Sequence, residues 1–338
     1  MNILAVESSC DETAVAIVKD GRQVLTDCIA SQVSLHREYG GVVPEIASRM
    51  HIEAIYALAD RALEEAKLTR NDLDAVAVTY APGLIGAVLV GVNFAKGAAL
   101  ALDKPLIPVH HIRGHIAANY LVYPELEPPF LCLVVSGGHT MIVDVQDYTK
   151  MEILGTTLDD AAGECFDKVG RVLGMPYPGG AALDRLAQQG DPGRYALPRS
   201  KPGANPYDMS FSGLKTATLN LIHNAQQVGQ EVHTADLCAS FTAAVSEMLI
   251  PRVESALRQT GYGKLAVAGG VAANSKIRAD LLECANRVGA QLYLPPLSLC
   301  GDNAAMIGAQ AYYEWMAGNV ADMYLNGYAT KSILGEAL

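Results

Sequence analysis

Two histidines four residues apart, His111 and His115, lie in Val109-His110-His111-Ile112-Arg113-Gly114-His115. On a helix that spacing puts both side chains on one face, about one turn apart. Two imidazoles so placed can hold a transition metal at nitrogen–metal distances of roughly 2.0–2.1 Å. Asp302, in Cys300-Gly301-Asp302-Asn303, is the candidate third ligand, with Gly301 letting the backbone turn into a helix. Two histidines and a carboxylate leave a coordination position open for substrate, as a catalytic site requires. An isolated pair of this spacing also arises in helices that bind nothing. His110, outside the register, reads as structural or as a support for the ligands.

Asp11 and Glu12 follow Ser8-Ser9-Cys10 in an early polar turn. An acidic pair there can orient a nucleophile, accept a proton or bind an ion. The competing reading is turn chemistry, because short polar side chains bond nearby backbone. Glycine-bearing turns occur at Ala81-Pro82-Gly83, Ser136-Gly137-Gly138, Pro178-Gly179-Gly180 and Gly269-Gly270-Val271-Ala272-Ala273-Asn274. Glycine permits close backbone approach, and bare N–H groups at a helix start attract phosphate. One such turn says little; several, spread over both halves, suggest a nucleotide site. None fits G-x-x-x-x-G-K-[ST] or a convincing G-x-G-x-x-G, which disfavours P-loop and Rossmann sites. Asp167 and Lys168 read as a solvated helix face, apart from their nearness to Gly179-Gly180. Asp184, one turn beyond those glycines, could reach a ribose or a substrate amine.

The elements that must carry these residues start twice. Apolar Ile3–Val6 leads through a polar turn to Ala14–Val18, and Leu131–Val135 leads through Ser136–Thr140 to Met141–Val143. Each reads as a hairpin, with Thr13 and Thr140 at matching places. Asp74–Val78 before Pro82-Gly83 is echoed by Lys264–Ala268 before Gly269-Gly270. Ile52, Ile55, Ala59, Ala62, Leu63 and Ala66 form an apolar stripe of helical period, and Pro44 can begin that helix. Helices are also expected over Asp159–Leu173, Phe211–His223, Ala235–Gln259, Asn274–Val288 and Asp302–Met316. Strands alternating with helices predict α/β layers in two related domains. Their boundaries are 1–128, completed by about 310–338, and 129–309, joined near Pro124–Pro129. The Pro- and Gly-rich Asp191–Tyr207 reads as a loop.

Of 338 residues, half are hydrophobic and 18% are charged, enough apolar material for a large core without staples. Seven cysteines with no C-x-x-C pair argue against a disulfide framework and for a reducing compartment. The N-terminus lacks a basic stretch followed by a long apolar one, and no uninterrupted apolar run reaches the ~20 residues of a membrane span. A cytoplasmic chain with no membrane partner is expected. The formal charge of −11 opposes whole-surface attraction to nucleic acid, so polyanion binding must be focused on a local basic patch or shared with a partner.

Taken together, the chain resembles the tRNA threonylcarbamoyltransferases of the TsaD family, once named O-sialoglycoprotein endopeptidases. The motifs are Glu7-Ser8-Ser9-Cys10-Asp11-Glu12-Thr13, Tyr39 to Glu45, Val109 to His115, Val135 to Thr140, Ser210 to Lys215, Gly269 to Asn274 and Asp302-Asn303. The resemblance implies a two-domain actin/Hsp70-like (ASKHA) fold with an interdomain active-site cleft. It implies transfer from threonylcarbamoyl-AMP to the exocyclic amine of the adenosine just 3′ of the anticodon. Metal ligation by His111, His115 and Asp302, to one iron or zinc ion, is carried over with it. So are substrate contacts by Val134, Val135, Ser136, Gly137, Gly138, Asp167, Gly180, Asp184 and Asn274. A TsaB-like paralogue and a TsaE-like ATPase are the implied partners, beside tRNA and the adenylate. Asp11 is the first candidate for proton acceptor and Glu12 the second. Many relatives carry Glu where this chain has Arg113, which bears on local charge and on a tRNA-contacting basic patch at or near Arg113. A metalloprotease reading lacks the glutamate that would activate water, since Ile112 follows His111. A non-catalytic scaffold and a small-molecule kinase of the same fold are the rival readings.

Overall fold

The computed structural model describes residues 1–201 and 203–334. Residue 202 of the expected Pro- and Gly-rich loop, and 335–338 of the segment expected to complete the first domain, lie outside the described residues. The chain divides into two compact units. The first holds Met1–Pro128, Gln146–Glu152 and the chain from Pro295 onward; the second holds Pro129–Val145 and Ile153–Leu294. The return to the first unit thus begins ahead of Asp302.

In the first unit a sheet runs β3-β2-β1-β4-β5. Its strands are β1 (Asn2–Glu7), β2 (Glu12–Lys19), β3 (Gln23–Ser31), β4 (Ala75–Ala81) and β5 (Leu106–His110). β1 is antiparallel to β2 and parallel to β4, and β4 is parallel to β5. Central strands β1 and β4 read as unbroken apolar runs because both faces are covered. Beyond a short helix α1 (Val33–Tyr39), one face packs on α2 (Pro44–Ala66) and α3 (Ile85–Leu102) through Val6, Ile17, Ile55, Val78 and Val92. The other packs on α10 (Ala304–Met316) through Ala5, Val18, Ala77 and Ile307. α3 has the length and apolarity of a membrane span, with mean hydropathy 1.8, and Ala87, Val88, Gly91, Val92, Ala95 and Ala99 form its buried face in this core. Gly308 lets α10 lie close on the sheet: a Cβ there would meet Val18 Cγ2 at 2.6 Å.

The second unit repeats the order. β6 (Phe130–Val135), β7 (Thr140–Val145), β8 (Met151–Thr156), β9 (Lys264–Ala268) and β10 (Gln291–Tyr293) form a sheet β10-β9-β6-β7-β8. Read from the other edge, this is the first sheet's sequence of partners, so the echo between the two strand starts is a topological duplication. The outer strands β3, β5, β8 and β10 have no clear signal in the sequence. The helices are α5 (Ala162–Val172), α6 (Gly179–Ala187), α7 (Ser212–Gln227), α8 (Thr234–Thr260) and α9 (Ser275–Val288). Thr13 and Thr140 are one step out of register. Val135, the last residue of β6, pairs with Thr140, whereas Glu7, the last of β1, pairs with Ala14. Both threonines nonetheless anchor a later helix: Thr140 Oγ1 accepts the Ala162 N–H at 2.9 Å, and Thr13 Oγ1 is 2.7 Å from His51 Nδ1 on α2.

Asp27 on β3 faces the start of α10, where Ala304 N–H donates to it at 3.3 Å. Burial pushes its carboxyl up to about 6 against those backbone donors. A carboxyl raised in the folded state contributes fully below its unfolded pKa and loses that contribution as pH rises through 6. Relative to Asp27→Asn, the native chain should therefore lose up to about 2 kcal/mol between pH 4 and pH 8, a figure discounted for partial exposure. Denaturant unfolding of both proteins at the two pH values measures it; a pH-independent difference would show that Asp27 titrates normally.

Candidate metal centre

The histidine pair is carried by a short helix, α4 (His111–Ala117), directly after β5, and all seven of its residues are buried. His110 caps it: its Nδ1 accepts the Ile112 N–H at 3.3 Å, as expected of a supporting residue. The two rings meet edge to face with centroids 4.6 Å apart. Asp302 Oδ1 lies 3.1 Å from His115 Nε2 and 3.6 Å from His111 Nε2. One donor atom from each of the three residues lies within 4.8 Å of the others. A tetrahedral ion with bonds of about 2.05 Å spaces its ligands roughly 3.3 Å apart. Asp302 is held by the next residue, since Asn303 Oδ1 accepts the Met306 N–H at 2.9 Å and its amide donates to Gly301 C=O. Neither ring nitrogen of the buried His115 has a hydrogen-bond partner among the described residues. A buried imidazole that makes no hydrogen bond and faces a carboxylate oxygen at 3.1 Å is best satisfied by a cation between the two, so this group fits a metal ion.

Glu7, wholly buried at the end of β1, orients the pair. Its Oε2 lies 3.0 Å from His111 Nδ1 and accepts from Thr79 Oγ1 at 2.5 Å, and its Oε1 accepts from Ser9 N–H at 2.6 Å. With Nδ1 committed to Glu7, His111 presents Nε2 towards Asp302. Burial alone would raise the Glu7 carboxyl, but the facing His111 and the Ser9 bond hold it below the usual range. Burial would lower His111, but Glu7 and Asp302 together push it up to about 9. The sequence places Glu7 in a motif but assigns it no role. Its one signal is that of a lone acid closing an apolar strand.

The Asp11–Glu12 turn lies beside this group. Burial first, then the charges of Asp11 and Asp302, push Glu12 up to about 9. Glu12 Oε1 accepts from Ser31 Oγ at 3.0 Å. Burial and the same two aspartates also raise the Cys10 thiol. His51, which sequence reasoning misses, pins the turn. Its Nε2 is 2.9 Å from Cys10 C=O, so it donates there, and Nδ1 accepts from the Thr13 hydroxyl. Its place beside the Ile52–Ile55 stripe is the clue.

Arg113 is not a surface cation. It is buried, with Nη1 2.9 Å from Glu314 Oε1, and Nε and Nη2 donating to Ile333 C=O. A buried guanidinium whose fork is already filled has nothing to offer a tRNA phosphate, so no basic patch can be built on it.

In the second unit, Val134 and Val135 are the buried last two residues of β6, and Gly137 and Gly138 are in the turn beyond it. Ser136 and Gly137 pack against two glycines: a Cβ on Gly163 would meet Ser136 O at 2.5 Å, and one on Gly269 would meet Val135 O at 2.5 Å. Asp167 Oδ1 accepts from Gly179 and Gly180 N–H at 2.8 and 3.3 Å, capping α6. Asp184 accepts from Ser275 Oγ at 2.8 Å, and Asn274 caps α9 by accepting the Ile277 N–H at 3.0 Å. The structure therefore joins Ser136–Gly137 to Gly269, Asp167 to Gly180, and Asp184 to the residue after Asn274. A carboxylate on the α6 N-terminus repels a second anion there. That end suits hydroxyl or amine groups better than phosphate, contrary to the reading of its glycines as a phosphate turn.

A family sequence model described as TsaD, tRNA N6-adenosine threonylcarbamoyltransferase, matches residues 23–309. The chain belongs to this family. A tRNA N6-adenosine threonylcarbamoyltransferase of Moorella thermoacetica is 54% identical over 96% of this chain and 95% of its own. One of Clostridium perfringens is 52% identical over 96% of both. Among solved structures, HypF of T. kodakarensis superposes with a TM-score of 0.63 at 15% identity, covering 94% of this chain and 48% of that one. That likeness concerns the fold alone, which is the expected ASKHA type. By family the chain is a transferase, and the protease reading falls away.

Glu7→Gln keeps the shape of the side chain but removes the anion that orients His111. Affinity for a divalent transition ion should fall about 10–100-fold, as for other residues that support ligands. Competition against a chromophoric chelator measures it, and unchanged affinity would remove the orienting role.

Proposed function

We propose that the chain transfers the threonylcarbamoyl group from threonylcarbamoyl-AMP to N6 of adenosine 37 in tRNAs reading ANN codons, forming t6A and releasing AMP. The observation that carries this, within that family, is the convergence of the buried His111 and His115 with the partly exposed Asp302. In the reaction a bond forms between N6 and the carbamoyl carbon. The bond from that carbon to the phosphate oxygen of AMP breaks, and one amine proton leaves. A divalent ion held by His111, His115 and Asp302, iron or zinc, would supply Lewis acidity towards the donor's oxygens.

The protein's own groups supply the rest. The amine proton goes to Asp11, which also orients the amine; Glu12 takes second place because its carboxyl is engaged by Ser31. The turn Ser136-Gly137-Gly138, after Val134 and Val135, receives the AMP phosphate through bare N–H groups. Asp167 with Gly180, and Asp184 with Asn274, hold hydroxyl and amine groups of the donor. The acidic chain meets its polyanionic substrate with the help of a TsaB-like paralogue and a TsaE-like ATPase, in the cytoplasm; its charge of −11 supports that need.

The direct test mixes the purified protein, these partners, threonylcarbamoyl-AMP and unmodified tRNA, with mass spectrometry of the nucleosides. Absence of t6A would overturn the reading. In the same assay Asp11→Asn should lower single-turnover transfer by at least ~100-fold while metal content and melting temperature hold. Near-normal turnover would leave Asp11 as a turn residue. tRNA binding by the isolated chain should be weak and should fall steeply with salt, and partners should tighten it. Tight binding and repeated turnover by this chain alone would remove the partner requirement.

A further inference from the structure

The three candidate ligands come from two separate elements. His111 and His115 are on α4, and Asp302 lies just ahead of α10. A helix of seven residues has no stability of its own, so its placement must be imposed from outside. Glu7 fixes the His111 end, whereas His115 makes no hydrogen bond among the described residues and only faces Asp302, on the other element, at 3.1 Å. Gly114, beside it, lets α4 approach α10 closely: a Cβ there would meet Ile307 Cδ1 at 2.7 Å. Apolar contact alone leaves two helices free to slide.

Arg113, on the same turn, removes that freedom. Its Nη1 donates to Glu314 Oε1 at 2.9 Å, and Glu314 lies on α10. Glu314 is itself immobilised, its Oε1 accepting from Gln310 at 2.8 Å and its Oε2 from Asn319 at 2.6 Å. The other edge of the guanidinium holds Ile333 C=O at 3.1 and 2.8 Å. Three residues earlier in the same motif, His110 Nε2 is 3.1 Å from Lys331 C=O. With Nδ1 accepting from Ile112, Nε2 carries the proton and donates to that carbonyl. The tail is anchored in turn, since Tyr328 N–H donates to Tyr80 C=O at 2.9 Å and Lys331 Nζ sits 4.8 Å from the Tyr328 ring centroid.

We propose that Arg113 and Glu314 form a clamp that sets the distance between the two ligand-bearing elements, with the 331–333 tail as its strap. Both are positioning residues, and the proposal rests on the reading that His111, His115 and Asp302 hold a metal. The clamp explains why a cation is useful inside the histidine motif: a single planar fork reaches α10 and the tail at once.

The test measures Co(II) affinity by chelator competition, and the Co(II) absorption spectrum, on the full chain. Arg113→Met leaves Glu314 buried and unpaired and can fail to fold. Arg113→Met with Glu314→Leu removes both charges together and so avoids a lone buried carboxylate, though Ile333 C=O, Gln310 and Asn319 lose partners, and its folding is checked by its melting curve. If the pair is a clamp, this double variant still binds Co(II) about 10–100-fold more weakly, with an altered spectrum. Arg113→Lys, which keeps the charge but not the fork, should fall between. Native affinity and spectrum in the folded double variant would overturn the clamp. Asp302→Ala, run alongside, separates the two ideas. If it loses Co(II) while the double variant keeps it, only the clamp fails; if it binds Co(II) like the native chain, the metal reading itself fails.

Discussion

The carboxylate of Glu7 has no access to solvent, and the arrangement around the candidate metal centre depends on how that charge is satisfied. A buried carboxylate is tolerated only where donors surround it. Glu7 finds them on three segments: Thr79 on β4, Ser9 in the β1–β2 turn and His111 on α4. Parallel pairing of β1 with β4 ends at Val6 and Val78, so Glu7 and Thr79 are the next residue on each strand. The helix that follows β5 then delivers His111 to the same point. The sheet therefore does more than carry a loop. Its central strand ends in the group that decides which nitrogen His111 presents to Asp302.

The two units use one topology with different chemistry at the same place. In the first, the turn between β1 and β2 is acidic and pinned by His51. In the second, the turn between β6 and β7 is glycine-rich and packed on other glycines. The first suits a cation and proton transfer, and the second suits close approach of a phosphate. Two acids of the second unit are occupied in capping: Asp167 on α6, and Asp159 on α7 through Phe211 and Ser212 N–H. Each stabilises a helix start by offsetting its dipole.

Much of the fold is readable from the sequence because its signals are local. The apolar runs of β1, β4, β6 and β9 and the stripe of α2 need no knowledge of the tertiary structure. The outer strands are different. β3, with the sequence Gln-Val-Leu-Thr-Asp-Cys-Ile-Ala-Ser, mixes polar and apolar residues because it is an edge strand and only partly covered. β10 has three residues, too few for any periodicity. In the candidate metal centre the histidine pair is legible because i,i+4 spacing survives in one dimension, and Asp302 through its own Gly301-Asp302-Asn303 motif, whereas the supports are not. Glu7 is 104 residues from His111, and Glu314 is 201 from Arg113. No spacing rule links such pairs, and Arg113, read as sequence alone, looks like any surface cation.

The charge balance of the first unit bears on what the trio can hold. Glu7 is neutralised locally by its donors and by His111. Glu12 has no such cation: after burial, the groups that raise it most are Asp11 and Asp302. Glu12 answers by keeping its proton. A divalent cation at the trio would reverse that balance, since a bound ion is the largest charge in its surroundings and favours ionised carboxylates nearby. A group of acids that repel one another in the bare protein thereby becomes a source of binding energy for a cation. The same change would favour loss of the Glu12 proton. The acidic turn and the histidine helix are in this sense one site: the first makes the cation favourable, and the second, with Asp302, gives it a place.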